Sequence, residues 1–267
     1  MAIYDCFQYF NEDQMLDLRM NILNESVDYF VISESTKTHQ GSDKKLNFNL
    51  KNFKKFEHKI IYTIANYEKE KNFSNHKGGE SLIEQHQRNN LLNGIAKAHD
   101  NDLIILSDSD EIPDMKKINQ IKSSTKFTAF SQKMFMYKLN LQNLNESNWI
   151  GSKICRKKNF PDPQTLRNLK FKKYPFWRID KRNLQIINGG WHFSFLQSPS
   201  DIVKKIKSYS HGEFNTKENT DEKNIIEKIN NNIDIFDRGF DLKRINIDES
   251  FPEYIYNNKN LLKDWII

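Results

Sequence analysis

Short apolar runs alternate with amphipathic stretches through the first part of the chain. Residues 3–10 and 28–35 are rich in β-prone and aromatic side chains and predict two strands. Between them, apolar side chains recur at helical spacing, which predicts an amphipathic helix over residues 12–24 with Asn11 as its N-cap. A strand, a helix and a strand in this order are typical of a βαβ unit and a parallel sheet.

The same alternation continues to about residue 113. A polar loop with a short helix, a third strand and a second polar loop are predicted at residues 36–56, 59–64 and 65–79. Ser81 and Glu84 form a capping box, which predicts a helix over residues 81–98. The four apolar residues 103–106 then predict a short buried strand. Residues 1–113 are therefore expected to form a Rossmann-type nucleotide-binding half.

Beyond residue 113 the pattern is mixed. Short β-prone runs predict strands, some of them antiparallel, at residues 127–130, 134–137 and 186–187, and a helix is predicted near residues 221–232. The apolar side chains near the end of the chain are expected to pack back onto the body: Leu261, Leu262, Trp265 and Ile266. The sequence thus predicts a single α/β domain, with a mixed second half over residues 114–240 and a C-terminal segment from residue 241.

Composition limits the classes of partner. The chain has 267 residues, which is long enough for a substantial core, and a formal net charge of +6. Its lysines are spread along the chain rather than gathered in one basic arm, so the charge gives no indication of a nucleic-acid partner. A mild positive balance is nevertheless favourable for a ligand that carries phosphate.

The cysteines and the apolar runs bear on the cellular compartment of the protein. Cys6 and Cys155 are the only cysteines, and their spacing favours neither a zinc site nor a disulfide framework. The N-terminus lacks the pattern of a signal peptide, and no run approaches the ~18 apolar residues of a membrane span. We therefore expect a cytoplasmic protein without a transmembrane segment, with peripheral attachment to the inner face of a membrane as the alternative.

The densest chemical signal follows the strand predicted at residues 103–106. Asp108, Asp110 and Glu111 lie within four positions, and Pro113 ends regular pairing shortly afterwards. Carboxylates clustered at a strand end repel one another unless a positive charge lies between them. Hard oxygen ligands suit Mg²⁺ or Mn²⁺, so a divalent-cation site is one interpretation, and a solvated turn is the other.

Two further clusters lie in the second half. Two glycines precede Trp191 and His192, which offer a flat aromatic face and a titratable nitrogen, although a tryptophan here is also typical of a core. A later basic run contains Lys205 and is followed by His211 and Glu213. The alternative for its lysines is a solvated helix face.

Three groups of residues, taken together in chain order, resemble glycosyltransferase family 17. They are Asp28, Phe30, Val31, Glu34, Ser35, Thr38 and Gly41; Asp108, Asp110, Glu111, Ile112 and Pro113; and Gly190, Trp191, His192 and Ser194. This is the family of the β-1,4-mannosyl-glycoprotein β-1,4-N-acetylglucosaminyltransferase. The resemblance extends from about residue 3 to about residue 240.

The resemblance implies an inverting, metal-dependent transfer of a sugar from a UDP-sugar on a GT-A-like fold. Asp108 and Asp110 match the metal-binding acids, which would hold Mn²⁺ or Mg²⁺ against the donor diphosphate. His192 is expected to be a third metal ligand, with contact to the acceptor as the alternative. The second half, residues 114–240, becomes the acceptor side.

Donor and acceptor residues follow from the same resemblance. Arg88 and Lys205 match basic positions that could take phosphate charge, and Glu34 is assigned to the donor site. The structural alternative for Arg88 is an ion pair with Glu84, four residues earlier on the predicted helix. Trp191 is expected to bind the acceptor sugar.

Inversion also needs a base for the acceptor hydroxyl. Glu213 is the preferred candidate because it lies outside the nucleotide-binding half, with Glu34 and Glu111 as the other candidates. His211 would orient Glu213 or hydrogen-bond a sugar.

The substrates are expected to be a UDP-sugar, by family default UDP-N-acetylglucosamine, and a glycan or lipid-linked saccharide of a surface polysaccharide. A metal-dependent phosphoryl-transfer enzyme is a competing hypothesis, because clustered acids with Mg²⁺ would serve it too. A non-catalytic carbohydrate-binding protein on the same fold is the other.

Overall fold

A computed structural model describes residues 1–66, 81–172, 174–175, 177–178, 181–208 and 212–267. Its strands form a ten-stranded mixed sheet, flanked by helices, so the chain has a mixed α/β fold. The main path through the sheet has the order β10-β7-β6-β8-β4-β1-β2-β3. The loop predicted at residues 65–79 lies almost entirely outside the described residues.

The first half of the chain forms the parallel part of the sheet. Its strands are β1 (Ile3–Tyr9), β2 (Tyr29–Ser35), β3 (Ile60–Ala65) and β4 (Leu103–Ser107). Strands β1 and β2, β2 and β3, and β1 and β4 are paired in parallel, which gives the local order β3-β2-β1-β4. The crossovers contain α1 (Asp13–Leu23), a 3-10 helix (Leu50–Lys59), α2 (Leu82–Asn89) and α3 (Leu91–Gly94). This matches the predicted parallel sheet.

The second half completes the sheet with mixed pairing. Its strands are β5 (Glu111–Pro113), β6 (Phe127–Met136), β7 (Leu141–Asn143), β8 (Trp149–Arg156), β9 (Leu184–Ser194) and β10 (Leu242–Arg244). Strand β8 lies antiparallel between β4 and β6, whereas β9 runs parallel to β6 and antiparallel to β5. The helices here are α4 (Pro163–Asn168), α5 (Pro199–Ser208), α6 (Glu222–Asn230) and α7 (Glu253–Asn257).

The helix predicted over residues 81–98 is interrupted. Ser81 caps its start as expected, since its side chain accepts a hydrogen bond from the amide of Glu84 at 3.1 Å. The first helix ends at Asn90, whose side-chain nitrogen donates to hydroxyls on β2 and β3. The second ends at Gly94, where a Cβ would lie only 2.2 Å from a methyl group of Val31. Close packing against the sheet thus overrides the helical periodicity.

Three other local predictions are corrected or refined. The two strands predicted at residues 127–130 and 134–137 are one strand, β6, whose register shifts near Ser131. The N-cap of α1 is Glu12 rather than Asn11, and its carboxylate accepts from the amides of Phe10 and Asn11. At the C-terminus, Trp265 and its neighbours pack against the main core, whereas Leu261 is 71% exposed.

Apolar side chains bury both faces of the parallel strands. One cluster joins α1, β2 and β9 around Phe7, Phe30 and Phe193, and a second lies on the opposite face around Val31 and Ile104. Nearly continuous apolar strands are typical of sheets covered on both sides. Within the described parts of the chain, every helix is too short or too polar to cross a membrane.

Candidate active site

The acidic residues lie on a tight turn between β4 and β5, at the carboxyl edge of the parallel strands. The amide of Glu111 donates to the carbonyl of Asp108 at 3.1 Å, and the amide of Asp108 donates to the carboxylate of Glu111 at 3.0 Å. The side chains of Asp108 and Asp110 remain 35% and 14% exposed, whereas that of Glu111 is 1% exposed. We call residues 108–111 the acidic turn.

Asp108 faces two arginines. Arg167 of α4 donates from Nη2 to its carboxylate at 2.6 Å, and Nη2 of Arg88 lies 3.9 Å away. Burial raises the pKa of Asp108 to about 6, and the nearby carboxylate of Glu111 adds to the rise, while the arginines oppose it. Arg88 also pairs with Glu84 at 2.6 Å, so the helical ion pair given as its structural alternative is present. Its role at the donor phosphates stays a prediction.

Asp110 faces His192 and Lys205. Its carboxylate oxygens lie 3.4 Å from Nε2 of His192 and 3.8 Å from Nζ of Lys205 on α5. Burial opposes ionisation of Asp110, but these two cationic neighbours outweigh it and hold its pKa below the usual range. The pKa of His192 is raised in turn, because Asp110 outweighs the opposing effect of burial. Lys205 also lies 3.5 Å from Glu12.

Strand pairing explains why His192 reaches the acidic turn. In the antiparallel ladder between β5 and β9, His192 lies opposite Glu111, and Trp191 opposite Ile112. Because successive side chains of a strand point to opposite faces, His192 and Trp191 diverge. The amide of Phe193 donates to the carbonyl of Asp110 at 2.9 Å, which holds β9 against the turn.

The sequence did not indicate Arg167 and Trp149. The indole nitrogen of Trp149 donates to Glu111 at 2.8 Å, and its ring centroid lies 4.9 Å from that of His192. Arg167 is brought in by the short helix α4, whose start has a recognisable Asp162-Pro163 cap. That cap could have predicted the helix, but the contact between Arg167 and Asp108 spans 59 residues and leaves no local pattern.

These side chains surround a cavity of about 330 Å³ at the carboxyl edge of the sheet. Its lining brings together most of the predicted metal and phosphate residues, with Trp149 and Arg167 added: Asp108, Asp110, His192, Lys205, Trp149 and Arg167. In open α/β sheets, ligands bind outside the carboxyl ends of the strands. A larger cavity of about 780 Å³ lies elsewhere, against Gly189 and Gly190, and its lining contains neither a carboxylate of the acidic turn nor His192. We call the smaller one the site cavity.

Four predicted residues that the structure describes lie outside the lining of the site cavity: Glu34, Arg88, Trp191 and Glu213. Glu34 is fully buried and bonded to Lys44, Tyr62 and two backbone amides. Trp191 is 8% exposed, packs in the main core and donates to the carbonyl of Ser250 at 3.2 Å. Glu213 is exposed on a 3-10 helix (Gly212–Phe214), and His211 lies outside the described residues. The roles given to these four residues and to His211 stay predictions.

The donor set suits a divalent cation that is shared with a substrate. Two carboxylates and an imidazole converge, and the buried Nδ1 of His192 has no hydrogen-bond partner in the described structure. Within the residues described, no group of three or more such ligands could hold an ion alone. Mg²⁺ is commonly held by one or two carboxylates together with substrate phosphates, so Asp108, Asp110 and His192 fit a partial site of this kind.

Comparison with solved structures finds weak similarity to HddC from Yersinia pseudotuberculosis. In the crystal structure of HddC complexed with GMP-PN, the sequence is 12% identical to this chain and the TM-score is 0.32. A second crystal structure of HddC gives 13% identity and a TM-score of 0.33. Each match covers 72% of this chain and 89% of HddC. Similarity at this level carries no inference about function. Comparison with curated proteins finds no match.

Comparison with family models gives a match over nearly the whole chain. The model of glycosyltransferase family 17 matches residues 1–240, a span that includes the acidic turn, α4, β9 and α5. This agrees with the resemblance carried by the three ordered groups of residues. The chain belongs to glycosyltransferase family 17, and the protein is a glycosyltransferase.

Proposed function

We propose that this glycosyltransferase catalyses inverting, metal-dependent transfer of N-acetylglucosamine from its UDP conjugate to a glycan or lipid-linked saccharide of a surface polysaccharide. The observation that carries the proposal is the convergence of Asp108, Asp110 and His192 at the carboxyl edge of the sheet. The local order β3-β2-β1-β4 and the site at that edge also support a GT-A-like arrangement.

The cationic side chains support a donor with a diphosphate. Arg88, Arg167 and Lys205 surround the acidic turn, and each lies within 4 Å of one of its carboxylates. Guanidinium groups bind phosphate oxygens with two parallel hydrogen bonds, whereas a lysine acts as a point charge. In the proposed complex these side chains turn toward the donor phosphates and stabilise the negative charge that develops on the departing UDP.

Asp108, Asp110 and His192 would hold the metal. When bound, Mn²⁺ or Mg²⁺ supplies Lewis-acid stabilisation of the leaving diphosphate. The acceptor oxygen forms a bond to the anomeric carbon as the bond from that carbon to the phosphate oxygen breaks. The proton of the acceptor hydroxyl passes to a carboxylate base.

Glu213 remains our candidate for that base. It is an exposed residue of the 3-10 helix that follows α5, and it does not line the site cavity. Glu213→Gln should abolish transfer while donor binding, followed by calorimetry with UDP, stays at the native level. A variant that still transfers sugar would remove the assignment.

Release of UDP from a panel of UDP-sugars, with and without Mn²⁺, tests the proposal. We expect metal-dependent release from UDP-N-acetylglucosamine by the native protein and none by Asp110→Ala. Arg156→Met is the matched control, because Arg156 is an exposed side chain outside the cavity lining. If UDP is released equally well with and without Mn²⁺, the proposed metal dependence is wrong. Cleavage of a model phosphodiester without consumption of any sugar nucleotide would favour phosphoryl transfer instead.

A further inference from the structure

Arg19 is a buried arginine beneath the acidic turn. It projects from α1, its side chain is 0% exposed, and it forms an ion pair with Asp5 of β1, which is also 0% exposed. The pair is bidentate, since Nε and Nη2 donate to the two carboxylate oxygens at 2.7 and 2.6 Å. Because desolvation of both charges offsets much of their attraction, a buried ion pair is weak evidence for a stabilising role.

The remaining nitrogen of Arg19 binds the backbone of the acidic turn. Nη1 donates to the carbonyl of Glu111 at 2.6 Å and lies 3.3 Å from the carbonyls of both Asp108 and Ser109. The turn's other backbone carbonyl, that of Asp110, accepts from the amide of Phe193. A single guanidinium therefore connects three of the four carbonyls of the turn to the centre of β1.

Arg19 contacts the backbone of the acidic turn outside the site cavity, whereas Asp108 and Asp110 face that cavity. Arg19 is absent from the lining of the site cavity, whereas the side chains of Asp108 and Asp110 line it. Arg19 can therefore fix the backbone of the turn without touching a ligand. A lysine could not replace it, because an ammonium group is a point charge that cannot span Asp5 and three carbonyls at once.

We propose that Arg19, held by Asp5, is the positioning residue of the acidic turn: it sets the direction in which Asp108 and Asp110 present their carboxylates to the site cavity. The proposal rests on the proposed function insofar as those carboxylates bind a metal. The hold on the backbone is a separate property that can be measured without any ligand.

The test replaces the ion pair without leaving a lone buried charge. In the double variant Asp5→Leu/Arg19→Met, apolar side chains of similar volume fill the site, and replacements of this kind are often neutral or stabilising. Asp5→Asn is the comparison variant: it retains Arg19 beside the carbonyls but removes its buried counterion, so it reports what loss of the ion pair alone does. Arg19→Lys is the second variant, to be used if the double variant does not fold.

Two readouts separate positioning from general stability. Hydrogen exchange of the amides of Asp108 and Glu111, which close the turn, should become roughly tenfold faster in the double variant, while that of central β2 amides stays unchanged. Affinity for Mn²⁺ in the presence of UDP, measured by electron paramagnetic resonance against a protein-free Mn²⁺–UDP blank, should fall about 10- to 100-fold, as for the loss of a second-layer partner of a metal ligand. Asp5→Asn should change both by a smaller factor.

The outcomes are distinguishable. A folded double variant with native exchange at the acidic turn would overturn the positioning role, whatever its activity. Faster exchange at the turn with unchanged Mn²⁺ affinity would also overturn it, because the carboxylates would not depend on Arg19. If the native protein binds no Mn²⁺ and releases no UDP, the proposed function fails, and the exchange measurement alone then decides whether Arg19 positions the turn.

Discussion

Two parallel strands of this protein have acidic residues at their carboxyl ends, and the two ends differ. Glu34 is the penultimate residue of β2, and β4 is followed by Asp108 and Asp110, so in sequence the two ends look alike. The carboxylate of Glu34 is 0% exposed and accepts hydrogen bonds from the amides of Asn47 and Phe48 and from the hydroxyl of Tyr62, and it pairs with Lys44. The carboxylates of Asp108 and Asp110 instead face a cavity.

The two strand ends differ in the groups that neutralise their carboxylates. Backbone amides of the following loop donate to Glu34, so its charge fixes the local path of residues 44–48. Cationic side chains from remote segments, Arg167 and Lys205, surround the acidic turn. Side-chain partners can turn toward a ligand, whereas backbone partners cannot leave without unfolding the loop. Of the acids at these two strand ends, those that face the cavity are the ones neutralised by side chains from remote segments.

Replacing the carboxylate by the isosteric amide should mainly lower kcat at the acidic turn and mainly lower stability at Glu34. The larger effect is expected at the acidic turn. Asp110→Asn removes the charge that His192 and Lys205 share. We expect kcat for sugar transfer to fall by about 10²- to 10³-fold, as when one preorganised electrostatic group is lost from an active site. Steady-state kinetics with UDP-N-acetylglucosamine measure the fall. Thermal denaturation should show a folded protein with a lower Tm, because the depressed pKa of Asp110 means that its charge stabilises the fold. A variant with native kcat would contradict the distinction.

Arg167→Met should have the next largest effect. Its guanidinium bonds to Asp108 at 2.6 Å and, in the proposed complex, to the donor. Because a hydrogen bond to a charged group contributes about 1.5–3 kcal/mol, the KM for the UDP-sugar should rise roughly 10- to 100-fold. Arg156→Met, which changes an exposed arginine of β8, is the control and should leave KM unchanged. An unchanged KM in both variants would assign Arg167 to the turn alone.

Glu34→Gln should reduce stability rather than catalysis. The amide group of glutamine would present a donor to one of the amides or to the tyrosine hydroxyl that now donate to Glu34. We expect the free energy of unfolding to fall by about 1–3 kcal/mol, the penalty of an unsatisfied buried polar group. Urea denaturation measures the loss. If folded Glu34→Gln instead shows weaker donor binding with native stability, the predicted donor role of Glu34 is correct.

Trp191→Phe should have the smallest effect. The change removes one hydrogen bond to the carbonyl of Ser250 and should lower stability by about 1 kcal/mol. The KM for the acceptor should not change, because Trp191 points away from the site cavity. Trp149→Phe is the matched comparison: Trp149 lines that cavity and contacts both Glu111 and His192, so its loss should lower transfer. A raised acceptor KM in Trp191→Phe alone would restore the predicted acceptor role of Trp191.

Local pattern predicted the parallel half of the fold well. The strands at residues 3–9, 29–35, 60–65 and 103–107 and helix α1 all lie where apolar runs and helical spacing indicated. Each of these elements buries an apolar face over a few consecutive residues, so its type is encoded where it lies. The prediction of one continuous helix over residues 81–98 was wrong because contacts with β2 and β3 determine the positions of Asn90 and Gly94. The helical pattern of the sequence carries no information about those contacts.

The candidate site divides in the same way. The sequence by itself determined the acidic turn, Arg88, His192 and Lys205 as candidates, because clustered charges and ordered motifs are visible along the chain. Only the tertiary structure decided that Arg167, Trp149 and Arg19 join them, that Glu34 is saturated by a loop, and that Trp191 turns into the core. The physical reason is that charge and apolar character belong to single residues, whereas partners across 38 to 92 positions are chosen by strand register and helix packing.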